Sequence, residues 1–343
     1  MTTPTIDLRS DTVTRPTAAM RAAMLDAPVG DDVFADDPTV NRLQASLAER
    51  LGFEAGLFCP SGTQSNLTAL MAHCQRGDEY IVGQEAHTYR YEGGGAAVLG
   101  SIQPQPLANQ ADGSIALADI ESAIKPDDVH FARTRLIALE NTIGGKVLPQ
   151  AYMAEVGRLA RERGLGFHLD GARMFNAAVK LGVSGQELCH GFDSVSVCLS
   201  KGLGAPVGSV LCGTRELIAR AHRWRKMLGG GMRQAGVLAA AGLYALEHNV
   251  ERLAEDHDNA ARLASGLAEI DALRLEPVQT NIVYAHVPKQ QCADLQAYLA
   301  VRGIVALIGP KTRLVTHLDV SQAQIAQVIA VFKQFFAENS FRQ

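Results

Sequence analysis

Lys201 and Asp170 are the residues whose type and position point most directly to chemistry. Lys201 follows a strand-like run at residues 195–200 and opens a glycine-rich turn at residues 202–208. Asp170 ends another apolar run, at residues 165–169. A lysine at a strand end can form a Schiff base with pyridoxal phosphate (PLP), and an aspartate can pair with the pyridine nitrogen of that cofactor. The two residues together indicate a PLP-dependent enzyme.

The turn Ser61-Gly62-Thr63 is a candidate anion site. It follows a strand-like run and opens a helical pattern. Backbone N–H groups and the dipole at a helix N-terminus attract negative charge, and the two hydroxyls can donate hydrogen bonds. The turn does not match the G-x-x-x-x-G-K-[ST] motif of nucleotide triphosphate sites, so we expect a monophosphate. The alternative is that Ser61 or Thr63 only caps the helix.

Three further side chains are candidates for the same site. His87 follows a strand-like run, and its ring could stack on a planar cofactor. Arg173 and Arg313 are suited to a substrate carboxylate, which they can bind through paired, charge-assisted hydrogen bonds. Each has an ordinary alternative, as a structural histidine or as a surface charge.

Two other kinds of site compete with the PLP interpretation. The G-x-G-x-x-G pattern of dinucleotide-binding folds begins at Gly202 and Gly204, but Val207 occupies its third glycine position. His168-x-Asp170 could begin a two-histidine, one-carboxylate iron site, because alternation puts both side chains on one strand face. The broken pattern disfavours the first alternative and the nearby lysine disfavours the second. No metal site is predicted.

Composition limits the classes of partner. The 343-residue chain has 32 Lys and Arg against 36 Asp and Glu, a net charge of −4. This balance offers no basic patch for nucleic acid or a membrane surface, and no apolar run approaches the roughly 20 residues that cross a bilayer. The start of the chain shows no secretory pattern, and the six cysteines include no C-x-x-C pair. We therefore expect a cytoplasmic protein with reduced thiols and a small-molecule substrate.

Short apolar runs alternate with helical patterns through the first 250 residues. This rhythm predicts an α/β fold with a mostly parallel sheet, in which active sites lie at the carboxyl ends of the strands. We expect a large PLP-binding domain at 1–250, whose N-terminal segment contributes to the active site, and a smaller C-terminal α+β domain at 251–343. The candidate strands of the large domain are residues 56–59, 79–82, 135–139, 166–169, 194–199 and 209–211.

Seven segments along the chain together resemble the low-specificity L-threonine aldolases, which are fold-type-I PLP enzymes with an aspartate aminotransferase-like fold. The segments are Asp7-Leu8-Arg9-Ser10-Asp11-Thr12-Val13-Thr14, Gly30-Asp31-Asp32-Val33, Ser61-Gly62-Thr63-Gln64, His168-Leu169-Asp170-Gly171-Ala172-Arg173, Leu199-Ser200-Lys201-Gly202-Leu203-Gly204, Gly229-Gly230-Gly231-Met232-Arg233-Gln234 and Arg313-Leu314-Val315-Thr316-His317-Leu318. The resemblance implies reversible cleavage of L-threonine or L-allo-threonine to glycine and acetaldehyde. The alternative is another fold-type-I PLP lyase, a racemase or an aminotransferase acting on small amino acids.

The resemblance also implies how the cofactor is held. Lys201 would form the Schiff base, and Asp170 would pair with the pyridine nitrogen. The Ser61-Gly62-Thr63 turn would hold the phosphate, and His87 would stack on the ring. Arg233, in a glycine-rich loop, would reach a cofactor across a subunit interface. The family is usually a homotetramer built from dimers that share active sites.

On the substrate side, the resemblance implies that Ser10, Arg173 and Arg313 bind the carboxylate, with Arg173 also close to the cofactor. His130 would lie near the substrate β-hydroxyl. The general base stays open between His87, His130, a water and a phosphate oxygen.

Two positions depart from the family pattern on this side. Phe34 stands where tyrosine is common, and Ile143 stands where histidine is common. We expect these two positions to influence preference at the β-carbon.

Overall fold

The computed structural model describes residues 5–339. Residues 1–4 and 340–343, at the outer ends of the two predicted domains, lie outside the described residues. The first four residues of the segment in which we expect no secretory signal are therefore also outside the described part of the chain. The described chain forms two compact units. The large unit is Pro16–Val250, and the small unit combines the described residues up to Arg15 with those from Glu251 onward.

Strands and helices alternate along most of the chain. The strands are β1 (Ile6–Asp7), β2 (Ala55–Cys59), β3 (Asp78–Gly83), β4 (Gln103–Leu107), β5 (Arg133–Glu140), β6 (Gly166–Asp170), β7 (Ser194–Cys198), β8 (Ser209–Gly213), β9 (Arg274–Leu275), β10 (Ile282–His286), β11 (Ile304–Val305) and β12 (Lys311–Val315). The α-helices are α1 (Ala18–Leu25), α2 (Pro38–Leu51), α3 (Gly62–His73), α4 (His87–Arg90), α5 (Gly95–Val98), α6 (Leu117–Ala123), α7 (Gln150–Glu162), α8 (Met174–Leu181), α9 (Gly185–Leu188), α10 (Arg215–Met227), α11 (Gly236–His248), α12 (Leu253–Ala268), α13 (Cys292–Ala300) and α14 (Gln322–Asn339). Short 3-10 turns cover Asp11–Val13, Asp32–Phe34 and Lys289–Gln291.

The large unit is built on one sheet in the order β2-β8-β7-β6-β5-β3-β4. Neighbours from β7 through β4 are parallel, and β8 runs antiparallel to both β2 and β7. Every residue of β3, β7 and β8 is buried, so both faces of these strands are covered. The predicted α/β fold with a mostly parallel sheet is confirmed, and all six candidate strands are present.

The edge strand β4 was not among the candidates. Its sequence contains Pro104 and Pro106, and among the described strands it pairs with β3 alone. Proline has no N–H to donate, which confines it in sheets to positions such as an edge. Because glutamine and proline alternate in β4, the strand does not form an apolar run and was not predicted.

The sheet register gathers the predicted site at one edge. Glu140 and Asp170 are paired at the carboxyl ends of β5 and β6. Cys198, at the end of the parallel β7, pairs with Ser209 at the start of β8, and Ser209 also pairs with Cys59 at the end of β2. Because these strand ends share one edge, the segments that follow them are brought to the same part of the sheet.

The small unit has its own core. β1 pairs with β11 in parallel, and β12, β10 and β9 form an antiparallel sheet. Leu263 on α12 and Phe332 on α14 belong to a buried cluster that also includes Ile6 and Leu8. The N-terminal residues, which the sequence assigns to the large domain, therefore pack with the C-terminal ones.

None of the helices within residues 5–339 combines the length and the apolar character that a membrane span requires. The six cysteines are unpaired, and five of them are buried. Burial raises the pKa of Cys59 and of Cys74 to about 12. These thiols are therefore protonated and unreactive at neutral pH, as expected for buried structural cysteines.

Candidate active site

Lys201 lies half-buried in the turn between β7 and β8. The turn is closed by two backbone hydrogen bonds, from Leu199 N to Gly208 O at 3.0 Å and from Gly204 N to Lys201 O at 2.8 Å. Burial raises the pKa of Glu140 to about 7, and the positive charge of Lys201 opposes that shift. Lys201 therefore lies near the carboxyl ends of the neighbouring strands.

Asp170 ends β6 and is 3% exposed. Its Oδ2 accepts a hydrogen bond from Asn66 Nδ2 at 2.9 Å, and its Oδ1 accepts one from the backbone N–H of Ala172 at 3.0 Å. Two donors from different elements fix the orientation of this carboxylate. A fixed, buried carboxylate at a strand end is the group that the pyridine nitrogen of PLP requires.

His87 begins α4 and forms a cluster with two acidic residues. Its Nδ1 lies 2.9 Å from Glu92 Oε1, and its backbone N–H donates to Glu140 Oε2 at 2.7 Å. The hydrogen bond with Glu92 raises the pKa of His87. A ring nitrogen of His87 and one carboxylate oxygen each of Glu92 and Asp170 all lie within 4.8 Å of one another. The predicted ring-stacking histidine is thus next to the predicted pyridine partner.

Three carboxyl groups lie close together at this edge. The side chain of Glu92 is 4% exposed, and burial raises its pKa. Burial, followed by the nearby charge of Asp170, raises the pKa of Glu140. Three carboxyl groups therefore surround the place where a protonated pyridine or a substrate ammonium would bind.

The Ser61-Gly62-Thr63 turn opens α3, as predicted. Ser61 Oγ accepts a hydrogen bond from the N–H of Gln64 at 3.1 Å, so Ser61 does cap the helix. A Cβ added at Gly62 would lie 3.5 Å from Ser209 Oγ. That hydroxyl is fully buried and has no hydrogen-bond partner among the described residues. A phosphate group would fit here, because the N-terminus of α3 attracts negative charge, Gly62 leaves space, and the Ser209 hydroxyl is available as a donor.

The exposed His130 and the ion-paired Arg233 have different surroundings within one chain. His130 precedes β5, its side chain is 81% exposed, and its Nδ1 lies 2.6 Å from Asp128 Oδ1. Glu140 lies at the opposite end of that strand, about 23 Å from its first residue, Arg133, at roughly 3.3 Å per residue. Arg233 Nη1 lies 2.9 Å from Asp31 Oδ2. The role predicted for His130 would require a second copy of the chain, and the role predicted for Arg233 stays a prediction.

The residues predicted to bind the substrate carboxylate are divided between the two units. Arg173 occupies the residue before the first turn of α8, shortly after Asp170. Ser10 caps the first 3-10 turn, and Arg313 lies in β12 opposite Tyr284. Because Ser10 and Arg313 belong to the small unit, the shared role of the three residues stays a prediction.

The two departures from the family pattern have different surroundings. Phe34 is 72% exposed, whereas Ile143 is 7% exposed. Ile143 packs so closely on Gly113 that an added Cβ there would lie 2.4 Å from Ile143 Cγ2. Their expected influence on the β-carbon stays a prediction.

Sequence reasoning missed four residues of the site. Glu140 follows a candidate strand, so the strand-end rule could have found it. Asn66 lies one helical turn after Gly62, so helical periodicity could have placed it on the same face as that glycine. Ser209 begins a candidate strand rather than ending one. Glu92 lies in a loop after α4, and no sequence pattern indicates it.

The chain is similar to known proteins over nearly its whole length. Residues 7–290 match the family model described as beta-eliminating lyase. The chain is 57% identical over 334 residues to the low specificity L-threonine aldolase of Escherichia coli K12, which covers 97% of this chain and 99% of that protein. It is 44% identical to low-specificity L-threonine aldolase 1 of Arabidopsis thaliana, with 96% of each chain covered. A solved threonine aldolase structure from Leishmania major has a TM-score of 0.81 at 21% identity and covers 96% of this chain and 99% of its own.

Proposed function

Because the chain belongs to the low-specificity L-threonine aldolases, we propose that its active site is the cluster around Lys201 and Asp170. The protein is a PLP-dependent carbon–carbon lyase that cleaves L-threonine or L-allo-threonine to glycine and acetaldehyde. One observation supports the location of the site above all. The sheet register puts the ends of the strands that precede Lys201 and the Ser61-Gly62-Thr63 turn at the same edge as the buried Asp170.

When bound, PLP supplies an electron sink for the negative charge left on Cα once the Cα–Cβ bond breaks. Lys201 Nζ would hold the cofactor by its aldehyde carbon. The Asp170 carboxylate would accept a hydrogen bond from the pyridine N–H and so retain that proton. The Ser61-Gly62-Thr63 turn would bind the phosphate, and Ser209 Oγ would donate to it.

We assign removal of the β-hydroxyl proton to His87. Its Nδ1 is engaged by Glu92, so Nε2 is the nitrogen that can take the proton. The Glu92 carboxylate raises the pKa of His87 and makes it a stronger base. His130 is the alternative, if a second copy of the chain supplies it.

Substrate orientation decides which bond to Cα breaks. Ser10, Arg173 and Arg313 would bind the carboxylate, with the arginines contributing paired hydrogen bonds. Fixing the carboxylate leaves the side chain of the amino acid in one orientation towards the cofactor. Such orientation can lower the activation free energy of the reaction by several kcal/mol, about 7 or more in favourable cases. Arg173, three residues after Asp170, would contact the substrate carboxylate close to the cofactor.

We propose a cytoplasmic homotetramer, a pair of dimers with shared active sites. His130 lies between Val129, which is 97% exposed, and Phe131, which is 47% exposed. An exposed apolar loop that carries a predicted active-site histidine is what a shared site would require. Reduced thiols support a reducing compartment. Light scattering should give four times the chain mass of 36.6 kDa.

Lys201→Ala tests the proposed site. We expect the variant to release no acetaldehyde or glycine from L-threonine, because the cofactor has lost its covalent attachment. Borohydride should fix PLP onto the wild-type chain but not onto the variant. Lys180→Ala, at an exposed position on α8, is the control and should behave as wild type. Undiminished acetaldehyde release by Lys201→Ala would refute the assignment, and keto acid formation by the wild type would indicate an aminotransferase.

A further inference from the structure

A series of buried side-chain hydrogen bonds leads away from Asp170. Asn66 Nδ2 contacts Asp170 Oδ2 at 2.9 Å and Glu92 Oε1 at 3.0 Å. Asn66 Oδ1 lies 3.3 Å from His168 Nε2, and His168 Nδ1 lies 2.8 Å from Ser194 Oγ. Asn66, His168 and Ser194 are each at most 2% exposed. The series thus connects two carboxylates of the proposed site to the interior of the sheet.

The chemistry of each group fixes the direction of donation. Ionised carboxylates only accept hydrogen bonds, so the Asn66 amide must turn its NH₂ group towards them. Its oxygen then accepts from His168 Nε2–H, which leaves His168 Nδ1 to accept from the Ser194 hydroxyl. Ser194 Oγ in turn accepts from His73 Nε2–H, 2.7 Å away. Each member therefore determines the orientation of the next.

Burial keeps both histidines in the form that this direction requires. It lowers the pKa of His168 to about 3 and that of His73 to about 4. At neutral pH each ring is therefore uncharged and carries a single N–H. One N–H per ring is what allows His168 to donate at Nε2 and accept at Nδ1.

We propose that Asn66 is a positioning residue for the cofactor and that His168 fixes the orientation of its amide. The inference rests on the proposed function, in which Asp170 meets the pyridine nitrogen and His87 stacks on the ring. Because Asn66 donates both to Asp170 and to Glu92, the partner of His87, one amide orients both contacts to the pyridine. Asn66 itself need not touch the cofactor.

Asn66→Asp tests this role, since it keeps the size of the side chain but removes both donors and adds a carboxylate beside Asp170 and Glu92. We expect PLP affinity to fall about tenfold or more. We also expect the pH titration of the visible absorbance of bound PLP, measured without substrate, to shift. Ser65→Ala is the matched control on the same helix. It removes the buried Ser196–Ser65 hydrogen bond of 2.7 Å, which lies outside the series, and it should leave both readouts unchanged.

Thermal melting of the cofactor-free proteins identifies a variant that has lost its fold. In that case Asn66→Ala, which leaves room for water, takes the place of Asn66→Asp with the same expectations. A folded Asn66 variant with the affinity and titration of Ser65→Ala would overturn the proposal. Asp170→Ala distinguishes a failure of the proposed function from a failure of the positioning role. Unchanged PLP affinity in Asp170→Ala would remove the proposed role of Asp170, whereas an effect there but not at Asn66 would remove only the positioning role.

Discussion

Ser209→Ala should separate cofactor binding from folding at a single atom. The Ser209 hydroxyl is fully buried, lies beside Gly62, and has no partner within the described part of the chain. When PLP is bound, we expect this hydroxyl to donate to the phosphate. A hydrogen bond to a charged group is worth about 1.5–3 kcal/mol. Its loss should therefore weaken PLP binding roughly 10- to 150-fold.

The cofactor-free protein should respond in the opposite sense. A buried hydroxyl without a partner costs about 1–3 kcal/mol of desolvation, and alanine removes that cost. The substitution also leaves a small void, which offsets part of the gain. The free energy of unfolding of cofactor-free Ser209→Ala should therefore equal that of wild type or exceed it by about 1 kcal/mol.

Two titrations check this pair of expectations. PLP binding is followed by visible absorbance, and unfolding of the cofactor-free protein is followed in urea. Ser65→Ala is the control with the reverse signature, because its hydroxyl has a partner. It should lose about 1 kcal/mol of stability and keep its PLP affinity. Wild-type affinity in Ser209→Ala, or weaker binding that merely accompanies a loss of stability, would contradict the assignment of this hydroxyl to the phosphate.

Two remaining predictions concern buried charges. Arg225 Nη2 lies 2.7 Å from Asp32 Oδ2 with both side chains at most 5% exposed, so Arg225→Met should lower the free energy of unfolding in urea by about 3–5 kcal/mol. A loss below about 1 kcal/mol would mean that water stabilises the remaining carboxylate. Burial raises the pKa of Glu140 from 4.5 to about 7, so the folded, cofactor-free protein keeps a proton that the unfolded chain has lost. The contribution of protonated Glu140 to the free energy of unfolding is therefore full below about pH 4.5 and is lost as the pH rises through about 7. Glu140→Gln should exceed wild-type stability by about 1–3 kcal/mol at pH 8 but not at pH 5, and an equal difference at both values would contradict this.

The strand ends of the large unit were predictable from the sequence. Asp170, Lys201 and the Ser61-Gly62-Thr63 turn each follow an apolar run that is visible in one dimension. Parallel strands place such ends at one edge whatever their order in the sheet. The strand-end rule therefore identifies the candidate site without knowledge of the topology.

The polar contacts that support the site could not be predicted in the same way. Alternation correctly indicates that His168 and Asp170 share a strand face, but it led to the alternative of an iron site. In the structure His168 contacts Asn66 on α3 and Ser194 on β7. Asn66 and Asp170 are 104 residues apart in the chain. Periodicity reports local structure, whereas the partner of a buried polar group depends on which distant elements pack together.

The pairing of β1 with β11 has a consequence for the order of events during synthesis. Ile6 lies opposite Ile304, and a ribosome that adds about 5–20 residues per second needs roughly 15–60 s to make the intervening chain. Throughout that interval Ile6 and Leu8, at most 2% exposed in the finished unit, lack the core partners that α12 and α14 later provide. Ile6 and Leu8 are thus made before the large unit but belong to a unit that is completed only after it, and a fragment that begins at Glu251 would lack part of its own core.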